Sequence, residues 1–223
     1  MLDKKTAKDT DTTHSQNRFA IEGKSAFQGI SDAELWQKFS SGDEAVFIFL
    51  YKEYFDSLYQ YARQFTHSNE LVEDAIQDVF IELREKRTKL VIKSSIKFYL
   101  FKTLKRKVVS LLEKNRKNLS LSDAGSYKEF EVTFSVEHRL IESQLETEQK
   151  ERLARSMQSL TARQREAIYY FYYENMSYAE IQELMDFSQI QGIRNLMYRA
   201  LNELKTQLSP QMMALAFLSV REV

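Results

Sequence analysis

Apolar residues recur every three or four positions through much of residues 29–118, which is the spacing of amphipathic α-helices. A first, short helix is predicted to begin at Ser31, because Ser31 and Glu34 have the spacing of a capping box, and to end at Gly42. A second helix is predicted over Asp43–Phe65, with a buried stripe rich in aromatic residues. The stripe consists of Phe47, Leu50, Tyr51, Tyr54, Leu58, Tyr61 and Phe65. Residues 1–28 lack this periodicity and are predicted to form a flexible tail.

Two further helices in this part of the chain combine an apolar face with a charged one. The third is predicted from about Asn69 to Arg87, with a row of exposed carboxylates beside its buried face. Its buried residues are Val72, Ala75, Ile76, Val79, Phe80 and Leu83, and its exposed carboxylates are Asp74, Asp78 and Glu82. The fourth is predicted from about Ser95 to Asn115. Its packing face contains Ile96, Leu100, Thr103, Leu104 and Leu111, and its opposite, exposed face contains Phe98, Lys102, Lys105 and Arg116.

The helical pattern is interrupted from Leu119 to Phe134 by polar residues and a glycine, and a linker is therefore predicted over residues 119–139. A second helical domain is predicted over residues 140–208. Two capping-box patterns begin helices in it, and they pair Thr161 with Gln164 and Ser177 with Glu180. The helix that begins at Ser177 is short, a turn follows at residues 186–188, and a longer helix comes next. This succession is typical of a helix-turn-helix. Residues 209–223 are predicted to be an apolar C-terminal extension.

Composition supports an all-α fold class, with two small helical domains joined by a flexible linker and a helix-turn-helix in the second. The chain has one proline and five glycines, which are few for the turns that connect the strands of a β-sheet. The chain has no cysteine, three dispersed histidines, no Gly-rich phosphate loop and no Ser, His and Asp constellation. The sequence therefore predicts no enzyme, no catalytic residue, no metal site, no cofactor and no small-molecule substrate.

The location of the protein is predicted from its apolar segments. Met1–Thr13 is polar and charged, which argues against a signal peptide, and the longest apolar run, Met212–Leu218, is too short to span a bilayer. The chain is therefore expected to be cytoplasmic, with no direct membrane insertion.

Zero net charge conceals two adjoining blocks of opposite sign. Ser31–Leu83 contains three Lys and Arg against eleven Asp and Glu, whereas Arg84–Asn118 contains thirteen against two. A basic block this dense favours binding to phosphate groups. The alternative is that the two blocks are solvated helix faces that attract each other.

Two motifs resemble those of extracytoplasmic-function (ECF) sigma factors, the small sigma-70 proteins with only conserved regions 2 and 4. The first is Val72–Leu83, VEDAIQDVFIEL, which resembles the helix that grips the clamp of RNA polymerase. The second begins with LTARQRE at Leu160–Glu166 and continues through YYENMSYAEI at Tyr172–Ile181. It ends with RNLMYRAL at Arg194–Leu201. The resemblance covers about residues 30–118 and 140–208.

The resemblance implies a sigma factor that binds core RNA polymerase, recognises the minus-thirty-five and minus-ten promoter elements and promotes strand opening. Its partners would be core polymerase, promoter DNA in double-stranded and locally melted form, and an anti-sigma factor. Polymerase contact is expected at Asp74, Gln77, Asp78 and Glu82. Minus-ten binding and melting are expected at Phe98, Phe101, Lys102, Lys105, Arg106 and Arg116, because interleaved aromatic and basic groups suit single-stranded DNA. Minus-thirty-five contact is expected at Ser188, Gln189, Gln191, Arg194, Asn195 and Arg199.

Several positions differ from the family pattern, and the role of one further residue is not settled by the sequence. Arg106 and Ser110 stand where the family often has asparagine or aspartate, and Gly192 stands where a small hydroxyl residue is frequent. The turn before the last helix is also one residue longer than the common form. Phe101 lies near the edge of the apolar face, so a place in the core is the alternative for it.

Two other functions remain open at this point. The first is a helix-turn-helix transcription regulator that does not bind core polymerase, which would be expected to dimerise on a two-fold site. The second is a decoy that binds polymerase without recognising promoters, an option kept by the departures at Arg106, Ser110 and Gly192.

Overall fold

The computed structural model describes residues 27, 29–92, 94–118, 130 and 147–218. All regular secondary structure in these residues is helical, which confirms the predicted all-α class. The α-helices are α1 (Asp32–Ser40), α2 (Glu44–Ala62), α3 (Asn69–Lys86), α4 (Ile96–Asn118), α5 (Thr147–Ser159), α6 (Ala162–Ile168), α7 (Tyr178–Leu184), α8 (Ile190–Gln207) and α9 (Pro210–Met213). Two π-helical turns continue α6 and α9 and span Tyr169–Tyr173 and Ala214–Leu218.

Several predictions concern segments outside the described residues. These are the flexible tail at 1–28 and the linker at 119–139, apart from Phe27 and Phe130. Residues 140–146, at the start of the predicted second domain, and residues 219–223, at the end of the predicted C-terminal extension, also lie outside the described residues. Across the part of the chain that the structure describes, no helix combines the length and apolar character needed to cross a bilayer.

Short polar side chains start most of the helices, as their sequence patterns predict. The Ser31 hydroxyl accepts a hydrogen bond from the Glu34 backbone, and the Glu34 carboxylate accepts one from the Ser31 backbone. Complete capping boxes also begin α6, at Thr161 with Gln164, and α7, at Ser177 with Glu180. These contacts satisfy backbone N–H groups that the first turn of a helix leaves unpaired. All three predicted capping boxes are therefore confirmed.

Helices α1–α4 form the N-terminal domain around an apolar core. All six residues of the predicted buried face of α3 are buried, at 0–2% exposure. On α2 the core positions are shifted from the predicted stripe: Val46 and Ala62 are fully buried, whereas Tyr51 is 39% exposed. Tyr51 was expected in the core but lies on the rim, where its ring contacts Phe80 at a centroid distance of 4.9 Å.

Helices α5–α9 form the C-terminal domain, with α7 and α8 arranged as a helix-turn-helix. The apolar side of α8 packs on α5, α6 and α7, and its residues Ile193, Met197, Ala200 and Leu204 are buried. The predicted C-terminal extension closes this core, since Met212 and Phe217 are buried and the Phe217 ring lies 5.0 Å from that of Tyr172.

The π-helical turn after α6 buries three consecutive aromatic residues, Tyr169, Tyr170 and Phe171. A regular α-helix with one buried face would expose at least one of them. Here Phe171 stacks on Tyr178 of α7 at 4.8 Å, whereas Tyr170 faces Tyr61 of α2 at 5.6 Å. The turn therefore packs into its own domain on one side and against the N-terminal domain on the other.

Candidate protein and nucleic-acid interfaces

The residues predicted to contact polymerase lie together on α3 and face outward. Asp74, Gln77 and Asp78 are exposed, and Glu82 is half-buried. Two of the carboxylates have cationic neighbours: Asp78 lies 3.0 Å from Nζ of Lys107, and Glu82 pairs with Lys86 one turn along the helix. Both pairs keep much of their surface in water, so they are weak and exchange readily with other partners. The row is thus an accessible anionic surface.

An apolar side chain extends this anionic surface. Ile81 is 48% exposed between the carboxylates of α3. Ile48 and Tyr51, on the neighbouring helix α2, are 51% and 39% exposed. None of these three residues was predicted to belong to a site, although an isoleucine among the exposed positions of α3 indicates one. An exposed apolar group beside charges is typical of a surface that binds another protein.

The α8 residues predicted to contact the minus-thirty-five element share one exposed face. Gln191, Arg194, Asn195 and Arg199 point away from the core, and Ser188 and Gln189 are exposed just before the helix. Gln191 donates a hydrogen bond from Nε2 to Oδ1 of Asn195, at 3.0 Å. The structure therefore brings five of the six predicted residues together around the start of α8, and Arg199 follows one turn after Asn195 on the same helix.

Tyr198 belongs to the same face and was left out of the predicted site. Its side chain is 68% exposed, although tyrosine usually buries much of its ring. It follows Arg194 by one helical turn and Asn195 by three residues, so the three side chains are neighbours. The signal was present in the sequence, since an aromatic residue at a polar position of a predicted recognition helix has no core to enter.

The basic face of α4 has a different environment from the one expected. It was predicted to lie open, but in the structure it packs against the C-terminal domain. Phe101 is fully buried, Phe98 is 7% exposed, and the ammonium groups of Lys102 and Lys105 bind carboxylates of that domain. The predicted exposure of Phe98, Lys102 and Lys105 is therefore wrong for this conformation, and Phe101 lies in the core, as its alternative predicted. Arg106 is exposed, and the side chain of Arg116 lies outside the described residues.

A chain of polar groups links the two domains around Lys105. Its ammonium group lies 2.7 Å from Oε1 of Glu166 and donates to the Leu184 carbonyl at 2.9 Å. The Tyr170 hydroxyl donates to the same Glu166 oxygen at 2.8 Å. Tyr170 also shares a short hydrogen bond with the hydroxyl of Tyr61, and because its own proton is engaged by Glu166, Tyr61 is the donor.

Burial governs the protonation of these two tyrosines. Desolvation raises the pKa of Tyr61 well above its usual value, and the nearby Glu166 charge raises it further. The pKa of Tyr170 is also raised, by desolvation first and then by Tyr61 and Glu166. Both hydroxyls therefore stay protonated at neutral pH, so Tyr61 donates across the domain boundary to Tyr170, and Tyr170 donates within its own domain to Glu166.

A second polar cluster surrounds Glu174, which follows the π-helical turn and is only 5% exposed. Its carboxylate accepts a hydrogen bond from the Ser57 hydroxyl at 3.0 Å and lies 2.8 Å from Nζ of Lys97. The Lys97 ammonium also donates to the Glu174 carbonyl at 2.8 Å. A buried carboxylate requires such partners, because an unpaired charge in a dry environment is costly.

A third contact joins the start of α4 to the start of α7. Ser95 and Ser94 donate to Oε1 of Glu180 at 2.9 and 3.1 Å. Burial raises the pKa of Glu180, but hydrogen bonds from Ser177, Ser95 and Ser94 outweigh this effect and lower it overall. Glu180 thus caps its own helix and binds the other domain while ionised. The capping box was predicted from the sequence, whereas this second contact was not, because it joins residues of two different domains.

Two protein-family models match the chain, one in each domain. The family model described as Sigma-70 region 2 matches residues 50–118, and the one described as Sigma-70, region 4 matches residues 150–204. One curated relative is the ECF RNA polymerase sigma factor SigM of Bacillus subtilis (strain 168). It is 24% identical over 161 residues, which cover 70% of this chain and 91% of SigM.

Two solved structures share the fold. CnrH, solved in complex with the cytosolic domain of CnrY, has a TM-score of 0.52 and 20% identity, with 78% of this chain and 95% of CnrH covered. The sigma factor RpoE, solved with the anti-sigma factor NepR from Bartonella quintana, has a TM-score of 0.50 and 20% identity. This match covers 71% of this chain and 95% of RpoE. At such identities the two matches establish the helical fold alone.

Proposed function

Because the chain belongs to the sigma-70 family of RNA polymerase sigma factors, in its extracytoplasmic-function group, we propose that it binds core polymerase, recognises the minus-thirty-five and minus-ten promoter elements and promotes strand opening. The observation that best supports this division of roles is the placement of two accessible surfaces on different domains. One is the anionic row of α3, and the other is the polar face of α8. A regulator that only reads DNA needs the second surface and not the first.

Core polymerase binds the α3 row in this proposal, through Asp74, Gln77, Asp78 and Glu82. Carboxylates at an exposed surface increase association rate and specificity when they meet arginine or lysine on a partner. The exposed Ile81 adds apolar area at the same place. Phosphate is excluded as the ligand of this row, because like charges repel.

The minus-thirty-five element binds the exposed face of α8. Arginine pairs with guanine, and asparagine or glutamine pairs with adenine, in the major groove. Arg194, Asn195 and Gln191 supply these groups, and Tyr198 adds an apolar ring beside them. In this proposal Ser188 and Gln189, at the start of the helix, and Arg199 bind the flanking backbone.

The minus-ten element binds the basic face of α4 after the two domains separate. Lys102, Lys105, Arg106 and Arg116 would then hold phosphates, while Phe98 stacks on an unpaired base and Phe101 supports the helix from the core. Stacking contributes about 1–3 kcal/mol per base, which offsets the cost of unpairing the duplex. No covalent bond is made or broken, so strand opening needs binding energy and no catalytic group.

An anti-sigma factor is a further partner in this proposal, and the protein works in the cytoplasm where polymerase is found. Support comes from RpoE of Bartonella quintana, whose fold this chain shares and which was solved with the anti-sigma factor NepR. An inhibitor of this kind would need to cover surfaces that both domains use for polymerase or DNA.

Reconstituted transcription tests the proposal. Purified chain and bacterial core polymerase are incubated with a promoter library in which both elements are randomised, and the transcript starts are sequenced. We expect starts that depend on the chain and share two spaced elements. A dimer footprint on DNA without polymerase, together with an absence of specific starts, would favour the plain helix-turn-helix regulator. Polymerase binding with no specific starts would favour the decoy.

A further inference from the structure

We propose that Gln191 is a positioning residue of helix α8: its side-chain amide fixes the orientation of the Asn195 amide and thereby makes adenine the base that Asn195 selects. This inference rests on the proposed function, because it requires the exposed face of α8 to contact the minus-thirty-five element. It goes further in assigning one base to one side chain and in giving Gln191 a role that acts through Asn195.

The two amides are joined by one hydrogen bond on the exposed face of α8. Nε2 of Gln191 donates to Oδ1 of Asn195 at a distance of 3.0 Å, and both side chains are exposed. The two residues are one helical turn apart, which is the spacing at which side chains on a helix surface are neighbours. Among the residues that the structure describes, neither amide makes another side-chain hydrogen bond.

The contact leaves the base-reading atoms of Asn195 available. An amide oxygen has two lone pairs, and an amide nitrogen carries two protons. Gln191 occupies one lone pair of Oδ1, so the second lone pair and both protons of Nδ2 remain for DNA. An asparagine bound to adenine in the major groove accepts from N6 through its oxygen and donates to N7 through its nitrogen. The Asn195 amide can therefore bind Gln191 and adenine at the same time.

The orientation of the amide decides whether adenine is bound. The oxygen and the nitrogen of an amide have similar sizes, so a half-turn about the last side-chain bond exchanges acceptor and donor without changing the shape. In the reversed orientation the oxygen of Asn195 would face the N7 acceptor and its nitrogen would face the N6 donor, and neither hydrogen bond would form. A neighbour that donates to Oδ1 therefore selects the productive orientation before DNA binds.

The electrostatic field of the helix favours the same orientation. The positive end of the helix dipole lies at the helix N-terminus. Gln189, the N-cap residue of α8, makes no side-chain capping hydrogen bond to the described residues, so its side chain does not neutralise this charge. Because Gln191 precedes Asn195 by one turn, an Oδ1 that faces Gln191 points towards the N-terminus of the helix. The dipole and the hydrogen bond therefore act in the same direction.

The backbone beneath the pair is held by the core, so side-chain rotation is the motion that Gln191 controls. Ile193 and Met197, which alternate with the pair along α8, are buried at 0% and 1% exposure. A hydrogen bond between exposed side chains one turn apart shifts an equilibrium by about a factor of two. The effect of Gln191 on base selection should have this size, and it should be smaller than that of Asn195, which makes the base contact itself.

The test replaces Gln191 by residues that only donate, only accept, or do neither. Each full chain is combined with core polymerase, and transcription is compared between promoters with adenine or another base at the position where Asn195→Ala removes base preference. Gln191→Lys donates to Oδ1 and should keep the preference for adenine. Gln191→Ala should reduce the preference about twofold. Gln191→Glu accepts from Nδ2 and reverses the amide, so it should reduce the preference at least about fivefold.

The ratio between promoters separates base selection from general charge. Lysine and glutamate at position 191 also change the attraction to phosphates, but that change affects all promoters alike and cancels in the ratio. The matched control is Gln207→Ala, which removes a hydrogen bond of the same kind at the end of α8, from Nε2 of Gln207 to Oε1 of Glu203 at 3.0 Å. The base preference of this control should equal that of the natural chain.

A double-mutant cycle shows whether Gln191 acts through Asn195. In an Asn195→Ala background, Gln191→Ala should have no further effect on base preference, because the amide that it orients is absent. Independent effects of the two substitutions, or a relaxed preference at a different base pair in Gln191→Ala, would make Gln191 a direct reader of DNA and overturn the proposal.

Two other results also overturn the proposal, and a third has a different meaning for the proposed function. The proposal is wrong if Gln191→Glu keeps the full preference for adenine, or if Asn195 selects a base other than adenine. If no substitution on α8, Asn195→Ala included, changes base preference at any position, the assignment of the minus-thirty-five element to α8 is wrong and the role of Gln191 is lost with it. Loss of preference in the predicted order, with no effect of Gln191→Ala in the Asn195→Ala background, supports the proposal.

Discussion

A β-carbon added at Gly192 would lie 2.6 Å from Cδ1 of Phe187, closer than two such atoms can approach. Phe187 belongs to the turn before α8, and its ring also lies beneath the guanidinium of Arg163, 4.6 Å from the centroid. Arg163 in turn donates to the Met185 carbonyl at 2.9 Å. The glycine therefore lets the turn pack against the first turn of the recognition helix, and this accounts for its departure from the family pattern.

The contact between Gly192 and the Phe187 ring predicts that Gly192→Ala changes the free energy of unfolding in opposite directions in two backgrounds. Gly192→Ala should destabilise the natural chain by about 1–3 kcal/mol, because the added methyl overpacks against the Phe187 ring. In a Phe187→Ala background the same substitution should stabilise by up to about 1 kcal/mol, because alanine favours helix more than glycine does. Denaturant unfolding of the four proteins measures both effects. Equal effects of Gly192→Ala in the two backgrounds would show that the ring does not select the glycine.

Charge reversal on α3 should abolish polymerase binding. In an Asp74→Lys/Asp78→Lys variant the exposed row would repel arginine or lysine on the partner. The fold should survive, because both carboxylates are exposed and the Asp78–Lys107 pair is a surface contact. Co-purification with core polymerase and circular dichroism check the two expectations. A Glu148→Lys/Glu151→Lys variant makes the same change of charge at two exposed positions of α5 and should leave binding intact. Undiminished co-purification of the α3 variant would remove the clamp assignment.

Alanine substitutions on α8 should separate base recognition from general charge. Arg194→Ala or Asn195→Ala should weaken minus-thirty-five binding by about 1–3 kcal/mol and relax base preference at the contacted position. Tyr198→Ala should weaken binding without loss of stability, since its ring is 68% exposed. The control is Lys205→Ala in the last turn of the same helix. Transcription from promoters with single changes in the element provides the measurement, and equal losses from Lys205→Ala would contradict base-specific roles.

Alkaline pH should weaken the contact between the domains. The folded state holds Tyr61 and Tyr170 protonated, with pKa values raised above the ordinary value of 10.0 by burial. Their contribution to stability is therefore complete below that ordinary pKa and is lost as the pH rises above it towards the folded pKa. The expected result is late formation of tyrosinate absorbance, accompanied by a falling Tm. A Tyr61→Phe/Tyr170→Phe variant should lack two of the tyrosines that ionise late. If the late increase in tyrosinate absorbance were unchanged in this variant, that increase would belong to other tyrosines.

The helices and two of the three surfaces could be predicted from local patterns. The capping box at Ser31 marks the start of α1, and the apolar spacing of α3 identifies both its buried face and the exposed row with Asp74 and Asp78. The apolar stripe of α8 identifies the exposed face of that helix in the same way. These features depend on residues three or four positions apart, so each is encoded within a single stretch of sequence.

Only the tertiary structure decided what covers the basic face of α4. Periodicity shows that Lys97, Lys102 and Lys105 lie away from the core of their own domain, but it contains no information about a surface supplied by another part of the chain. Their partners Glu166, Glu174 and Glu183 come 61–81 residues later and have ordinary helix-surface patterns of their own. A cationic helix face has the same sequence whether it binds carboxylate or phosphate, because both ligands satisfy the same charge and the same donors.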